Sequence, residues 1–111
     1  MRSLLRRWLE HAQGTEAEIA EITTATGEAC ANAIEHGGAS VRSPFEVAGR
    51  LRGREVDITV TDYGSWRSER SDDQGRGLTL MRALMDSVEI TPGPKGTTVR
   101  MTRRLDANGQ P

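Results

Sequence analysis

A chain of 111 residues holds one compact domain and hardly two. Its 15 Lys and Arg against 16 Asp and Glu leave a formal net charge of -1, which argues against electrostatic binding of nucleic acid or a membrane surface as its main business. A hydrophobic content of 35% is low for a globular protein and predicts a modest core, with some apolar surface shared with a neighbour.

No apolar run approaches the length that spans a bilayer, and charges recur every few residues at the N-terminus, unlike the apolar segment of a signal peptide. A cytoplasmic protein is expected. The single cysteine, Cys30, has no internal disulfide partner and reads as a small core residue. Arg2 to His11 reads as a first helix, with Leu4, Leu5, Trp8 and Leu9 on one side and Arg2, Arg6 and Arg7 on the other. His11 has no companion at metal-ligand spacing and is read as surface or helix-end decoration.

Thr15-Glu-Ala-Glu18 is a capping box opening a long second helix, which the glycines Gly37-Gly38 are expected to close. At 100° per residue, Ile19, Ile22, Thr26, Ala29, Cys30 and Ala33 form one stripe. Glu21, Glu28, Asn32 and Glu35 form another, with His36 at its edge. By itself this periodicity supports only an amphipathic helix with a solvated polar face, on which a carboxylate and a carboxamide stand one turn apart.

Ser40 to Arg52 alternates imperfectly around Val41, Phe45, Val47 and Leu51, and Pro44 makes its start an edge or irregular strand. Gly53-Arg54 gives a short turn. In the next strand Val56, Ile58 and Val60 point one way and Asp57, Thr59 and Thr61 the other. Ser65 to Gln74 is polar and aperiodic, a length that suits a lid or binding loop. Gly75-Arg76-Gly77 then enters a helix in which Leu78, Leu80, Met81, Leu84 and Met85 are expected to pack inward. Glycines at a helix start let backbone N–H groups approach a phosphate. A second hairpin follows, Val88-Glu-Ile90 and Thr97 to Arg103 about a turn at 92–96, with Val99 and Met101 inward. Strands gathered on one sheet, with helices enough for one face, predict an α/β fold: a two-layer sandwich over residues 1–105, its sheet mainly antiparallel, with 106–111 as a disordered tail.

Glu28-x-x-x-Asn32-Ala33, Asp62-x-Gly64, Gly75-x-Gly77-Leu78 and Gly96-Thr97 occur in the order of the nucleotide-binding boxes of the superfamily that contains gyrase, MutL, the heat-shock chaperone ATPases and histidine kinases. The strings Glu28-Ala-Cys-Ala-Asn-Ala-Ile-Glu-His36 and Gly75-Arg-Gly-Leu-Thr-Leu-Met81 more narrowly resemble the bacterial anti-sigma-factor serine/threonine kinases. Each box alone is weak; four in order are a strong signal. The resemblance runs from about Arg6 to Arg104 and implies the Bergerat ATP-binding fold. Relatives usually carry a strand before the first helix, and this chain begins too late to hold one, so the domain is expected to be trimmed or cut from a longer polypeptide.

The resemblance implies ATP and Mg2+ as cofactors. The carboxamide oxygen of Asn32 suits a hard, octahedral ion whose other ligands are phosphate and water oxygens. Glu28 is implied as the general base for an attacking hydroxyl. Asp62 would accept from the adenine amine, Gly64 would leave room for the ring, and Thr97 would also lie at the base. Gly75, Arg76 and Gly77 are assigned to the phosphates, with a solvent-facing Arg76 as the alternative. Glu35 and His36 are left between supporting polarity and plain surface, and Trp66 stands where relatives often have proline.

The implied function is an ATP-dependent protein serine/threonine kinase that phosphorylates a small anti-sigma-factor antagonist of the STAS type and, as an anti-sigma factor, holds a sigma factor. A homodimer is a further assembly the resemblance allows; nucleic acid and membrane are not expected as partners. The alternative is a catalytically weak nucleotide-binding regulatory module from a multidomain phosphatase or sensor. A histidine-kinase ATPase domain fits poorly, because Glu28 opens the box where such kinases show an amide or polar residue.

Overall fold

The computed structural model describes residues 2–35, 45–62, 71–93 and 96–106, with 2, 34, 35 and 71–76 described by their backbone alone. Helix α1 (Arg2–His11) leads into α2 (Glu16–Glu35) through a turn in which Gln13 takes the left-handed conformation, φ 65°. The Gly14 N–H donates to the Leu9 carbonyl and that of Gln13 to Glu10, both at 3.0 Å, so the last carbonyls of α1 are satisfied by a Schellman closure. The capping box forms: the Glu18 N–H donates to Thr15 Oγ1 (3.1 Å) and the Thr15 N–H to Glu18 Oε1 (2.8 Å).

Strands β1 (Glu46–Arg52) and β2 (Glu55–Asp62) are joined by Gly53-Arg54, with Gly53 at φ 60°, the positive φ that a two-residue hairpin turn demands. Helix α3 (Ser71–Leu84) follows, then β3 (Ser87–Gly93) and β4 (Gly96–Arg104). All pairings are antiparallel and the sheet order is β1-β2-β4-β3. Val56, Ile58, Val60, Val99 and Met101 turn one sheet face towards the helices, where they meet Leu9, Ile19, Ile22 and Met81 in a single core. The two-layer α/β sandwich expected from the pattern is the architecture found.

Several local expectations are corrected. Leu4 is 70% exposed, because the buried stripe of α1 runs through Leu5, Trp8, Leu9 and Ala12 and leaves Leu4 at its margin. Leu80 is 37% exposed for the same reason on α3, where Met81, and Met85 just beyond the helix, carry the burial. α3 starts at Ser71, so Gly75 and Gly77 lie within the helix instead of at its start, and part of the stretch read as a polar loop is helical. Ser71-Asp72-Asp73 is the residue chemistry that favours a helix N-terminus, an opening masked in the sequence by its lack of apolar periodicity. Asp57 points away from the helices as expected, yet it is only 6% exposed. Arg100 lies over it, with Nε 3.1 Å from both carboxylate oxygens and Nη2 2.7 Å from Oδ2. That hydrogen-bonded guanidinium, chiefly, holds the Asp57 carboxyl below its usual range.

At the end of β4 the backbone is tied down through Asp106. Its N–H donates to Glu18 Oε2 (2.8 Å), and its carbonyl accepts from Arg54 Nη2 (2.7 Å), whose Nη1 also reaches the Ala12 carbonyl (2.6 Å). Residues 107–111, the rest of the expected tail, lie outside the described residues, as do Gly37-Gly38 and the strand start at 40–44.

Candidate functional site

The orientation of α2 places the site. Glu18 meets Asp106, and Glu21 meets Arg103 through a 2.8 Å ion pair, so α2 advances as β4 recedes from its C-terminus. α2 packs on β2 and has 20 residues, a span of about 30 Å at 1.5 Å per residue, comparable with the eight-residue β2. Its C-terminal half therefore lies towards the end of the sheet where Asp62 pairs with Thr97. Both of these side chains are 2% exposed, an acceptor and a hydroxyl buried side by side on neighbouring strands.

On α2, Asn32 is 5% exposed and Glu28 half-buried. At Asn32, and in part at Glu28, the polar stripe is thus covered, because α3 packs against it. A Cβ built on Gly77 would stand 3.1 Å from Glu28 Oε1 and 3.5 Å from both Asn32 Oδ1 and Nδ2, so glycine is what lets α3 approach these two side chains. The far end of α3 is fixed by Arg103, whose Nη1 donates to the Leu84 carbonyl at 2.7 Å while its Nη2 holds Glu21. Arg103 thereby ties the end of α3 to α2. It carries no signal in the sequence, since its partners are 19 and 82 positions away.

The structure brings together two groups of the expected residues: Glu28, Asn32 and Gly77 between the helices, and Asp62 with Thr97 at the strand ends. Gly75 and Arg76 are placed by backbone only, one turn or less before Gly77 on α3. Gly64, Tyr63, Trp66 and His36 lie outside the described residues. Cys30 is buried on α2 and burial pushes its thiol up to about 11, so it is protonated at neutral pH and unsuited to nucleophilic attack.

The donors present fit Mg2+ bound together with a nucleotide. The Asn32 carboxamide and Glu28 carboxylate are hard oxygen donors. Among the described residues no group of three or more His, Cys, Asp or Glu could hold a metal alone. An ion here would draw most of its ligands from phosphate and water, the habit of magnesium in phosphoryl-transfer sites.

The chain matches the histidine kinase-like ATPase domain over residues 1–103. It is similar to an anti-sigma F factor of Thermoanaerobacter sp. (strain X514), 30% identical over an alignment covering 96% of this chain and 85% of the relative. It is also similar to the serine-protein kinase RsbW of Bacillus subtilis (strain 168), 34% identical, covering 83% of this chain and 68% of the relative. Among solved structures, that of the RsbU and RsbW domains of Rv1364c from Mycobacterium tuberculosis superposes with a TM-score of 0.76 at 33% identity, over 94% of this chain and 28% of that one. The histidine kinase domain of Erythrobacter litoralis EL346 shares the fold at 19% identity, with a TM-score of 0.67.

The chain belongs to the histidine kinase-like ATPase domain family, among the bacterial anti-sigma-factor serine/threonine kinases. ATP binding is the property of that domain class. No helix among the described residues is long and apolar enough to cross a membrane.

Proposed function

We propose that this chain is an ATP- and Mg2+-dependent protein serine/threonine kinase of the cytoplasm, formed by residues 1–105, that phosphorylates a STAS-type anti-sigma-factor antagonist and sequesters a sigma factor. The observation that carries the proposal is the convergence of Glu28 and Asn32 on Gly77, supported by the burial of Asp62 against Thr97 at the same end of the sheet. Mg2+, when bound, supplies charge neutralisation at the phosphates. Asn32 would orient it through Oδ1. Glu28 would accept the proton of the incoming serine or threonine hydroxyl, a role that a half-buried residue suits because it is not sealed from solvent. Asp62 and Thr97 would hold the adenine edge, with Gly64 giving the ring room. Gly75, Arg76 and Gly77 would face the phosphates, now from within α3.

A second reading has a specific observation in its favour. The solved chain on which this one superposes joins RsbU and RsbW domains, an arrangement in which a regulatory module would act on its neighbour. Radiolabel transfer from γ-labelled ATP to a purified antagonist separates the two. Labelled antagonist with wild type and none with Glu28→Ala supports the kinase; magnesium-ATP binding without any transfer leaves the module.

A further inference from the structure

We infer that Arg103 is a positioning residue for the candidate site: it holds the far end of α3 so that Gly77 keeps its seat against Glu28 and Asn32. The inference rests on the functional reading above, in which those two side chains serve the attacking hydroxyl and the metal.

Arg103 pairs with Val56 and lies on the same side of β4 as Val99 and Met101, so it faces the helices from an inner strand of the sheet. A charge in that apolar row is tolerated only when its hydrogen bonds are made. The side chain is 19% exposed and reaches both helices, with Nη1 2.7 Å from the Leu84 carbonyl and Nη2 2.8 Å from Glu21 Oε1. Leu84 ends α3, where a helix leaves its carbonyls unpaired and favours a cation.

The two meeting points of the helices match in spacing. Glu21 precedes Glu28 by seven residues on α2, and Leu84 follows Gly77 by seven on α3. The helices therefore run antiparallel, bridged by Arg103 at one point and in contact at Gly77 two turns away, about 10.5 Å at 1.5 Å per residue. Met81, 0% exposed, is buried in the interval on α3. Apolar burial is non-directional and leaves a helix free to slide or roll. A planar guanidinium with one prong on each helix does not. At Gly77 the tolerance is small, because a Cβ there would stand 3.1 Å from Glu28 Oε1, and a misplacement of about 1 Å costs a reaction about a hundredfold. The adenine end of the proposed site is built differently. Thr97 stands at the other end of β4 and pairs with Asp62 of β2, so that end rests on strand pairing and is independent of the Arg103 bridge.

Titration of the whole chain with magnesium-ATP by calorimetry, and with adenosine by NMR, separates positioning from general damage. Arg103→Met keeps an apolar stem and removes both bonds. It should bind magnesium-ATP about tenfold more weakly and adenosine as the wild type does. Arg103→Lys, which keeps the charge and its donors, should recover most of the loss. Glu21→Met, at a side chain 41% exposed where folding is not at stake, should show the same selective loss at about threefold; circular dichroism confirms that each variant is folded. Unchanged magnesium-ATP affinity in Arg103→Met, or in Glu21→Met where the first variant does not fold, would overturn the inference alone, as would an equal loss for adenosine. A wild type that binds no magnesium-ATP would overturn it together with the functional reading.

Discussion

Glu28 and Asn32 stand on one face of α2, one turn apart, and meet the same glycine of α3, yet their chemistry separates them. A carboxamide cannot take a proton at neutral pH, and a carboxylate can. Asn32→Ala is therefore expected to weaken magnesium-dependent ATP binding by about tenfold or more, the scale of one lost polar contact to a charged group. Glu28→Ala should retain binding and lose transfer. Calorimetric titration of both variants, with and without magnesium, checks this, and unchanged affinity in Asn32→Ala would remove the residue from the metal site. Asp62→Asn replaces an acceptor-only side chain by one that can also donate, so the preference for adenine over guanine nucleotides should shrink. Competition between ATP and GTP for the wild type and the variant measures it.

At the scale of elements, the pole opposite the candidate site is held by the Glu18 carboxylate together with Arg54. Glu18 accepts from the Thr15 backbone at the start of α2 and from the Asp106 backbone beyond β4, so it joins the helix layer to the sheet layer. Burial opposes its ionisation, but the backbone bonds from Thr15 and Asp106, the Thr15 hydroxyl and the charge of Arg103 together outweigh that and keep its pKa below the ordinary value. Glu18→Gln presents an amide N–H₂ where the Asp106 N–H needs an acceptor. A loss of about 1–3 kcal/mol is expected from urea unfolding, the range for leaving a buried donor without its acceptor. Nucleotide affinity should change little, since the site lies at the other end of α2.

For the whole molecule, the two depressed carboxyls give stability a direction in pH. Asp57 under Arg100 and Glu18 in its backbone cradle both have folded pKa values below their ordinary values of 3.8 and 4.5. A group whose folded pKa is lowered contributes stability that is present above its unfolded pKa and lost as pH falls through the folded one. The urea midpoint should therefore be flat at neutral pH and fall below about pH 4.5, and Asp57→Asn or Glu18→Gln should shallow that acid limb. Salt should erode the Asp57 share more than the Glu18 share, because the Arg100 side chain is 48% exposed whereas Glu18 is buried.

Much of this was readable along the chain, because local chemistry acts over a few residues. The Thr15 and Glu18 box, the Gly53 turn, the alternation of Val56, Ile58 and Val60, and the stripe of Ile19, Ile22, Thr26, Ala29 and Ala33 each concern neighbours within one turn or one strand. Only the tertiary structure decided what lies against those faces. The strand order β1-β2-β4-β3, the burial of Asn32 under α3, the guanidinium over Asp57, and the exposure of Leu4 and Leu80 all depend on partners tens of residues away. Periodicity reports that a face differs from its opposite; it carries no record of which distant segment covers it. For that reason the pattern marked α2 as two-faced, while only the packing of Gly77 showed that Glu28 and Asn32 on its polar face are met by α3.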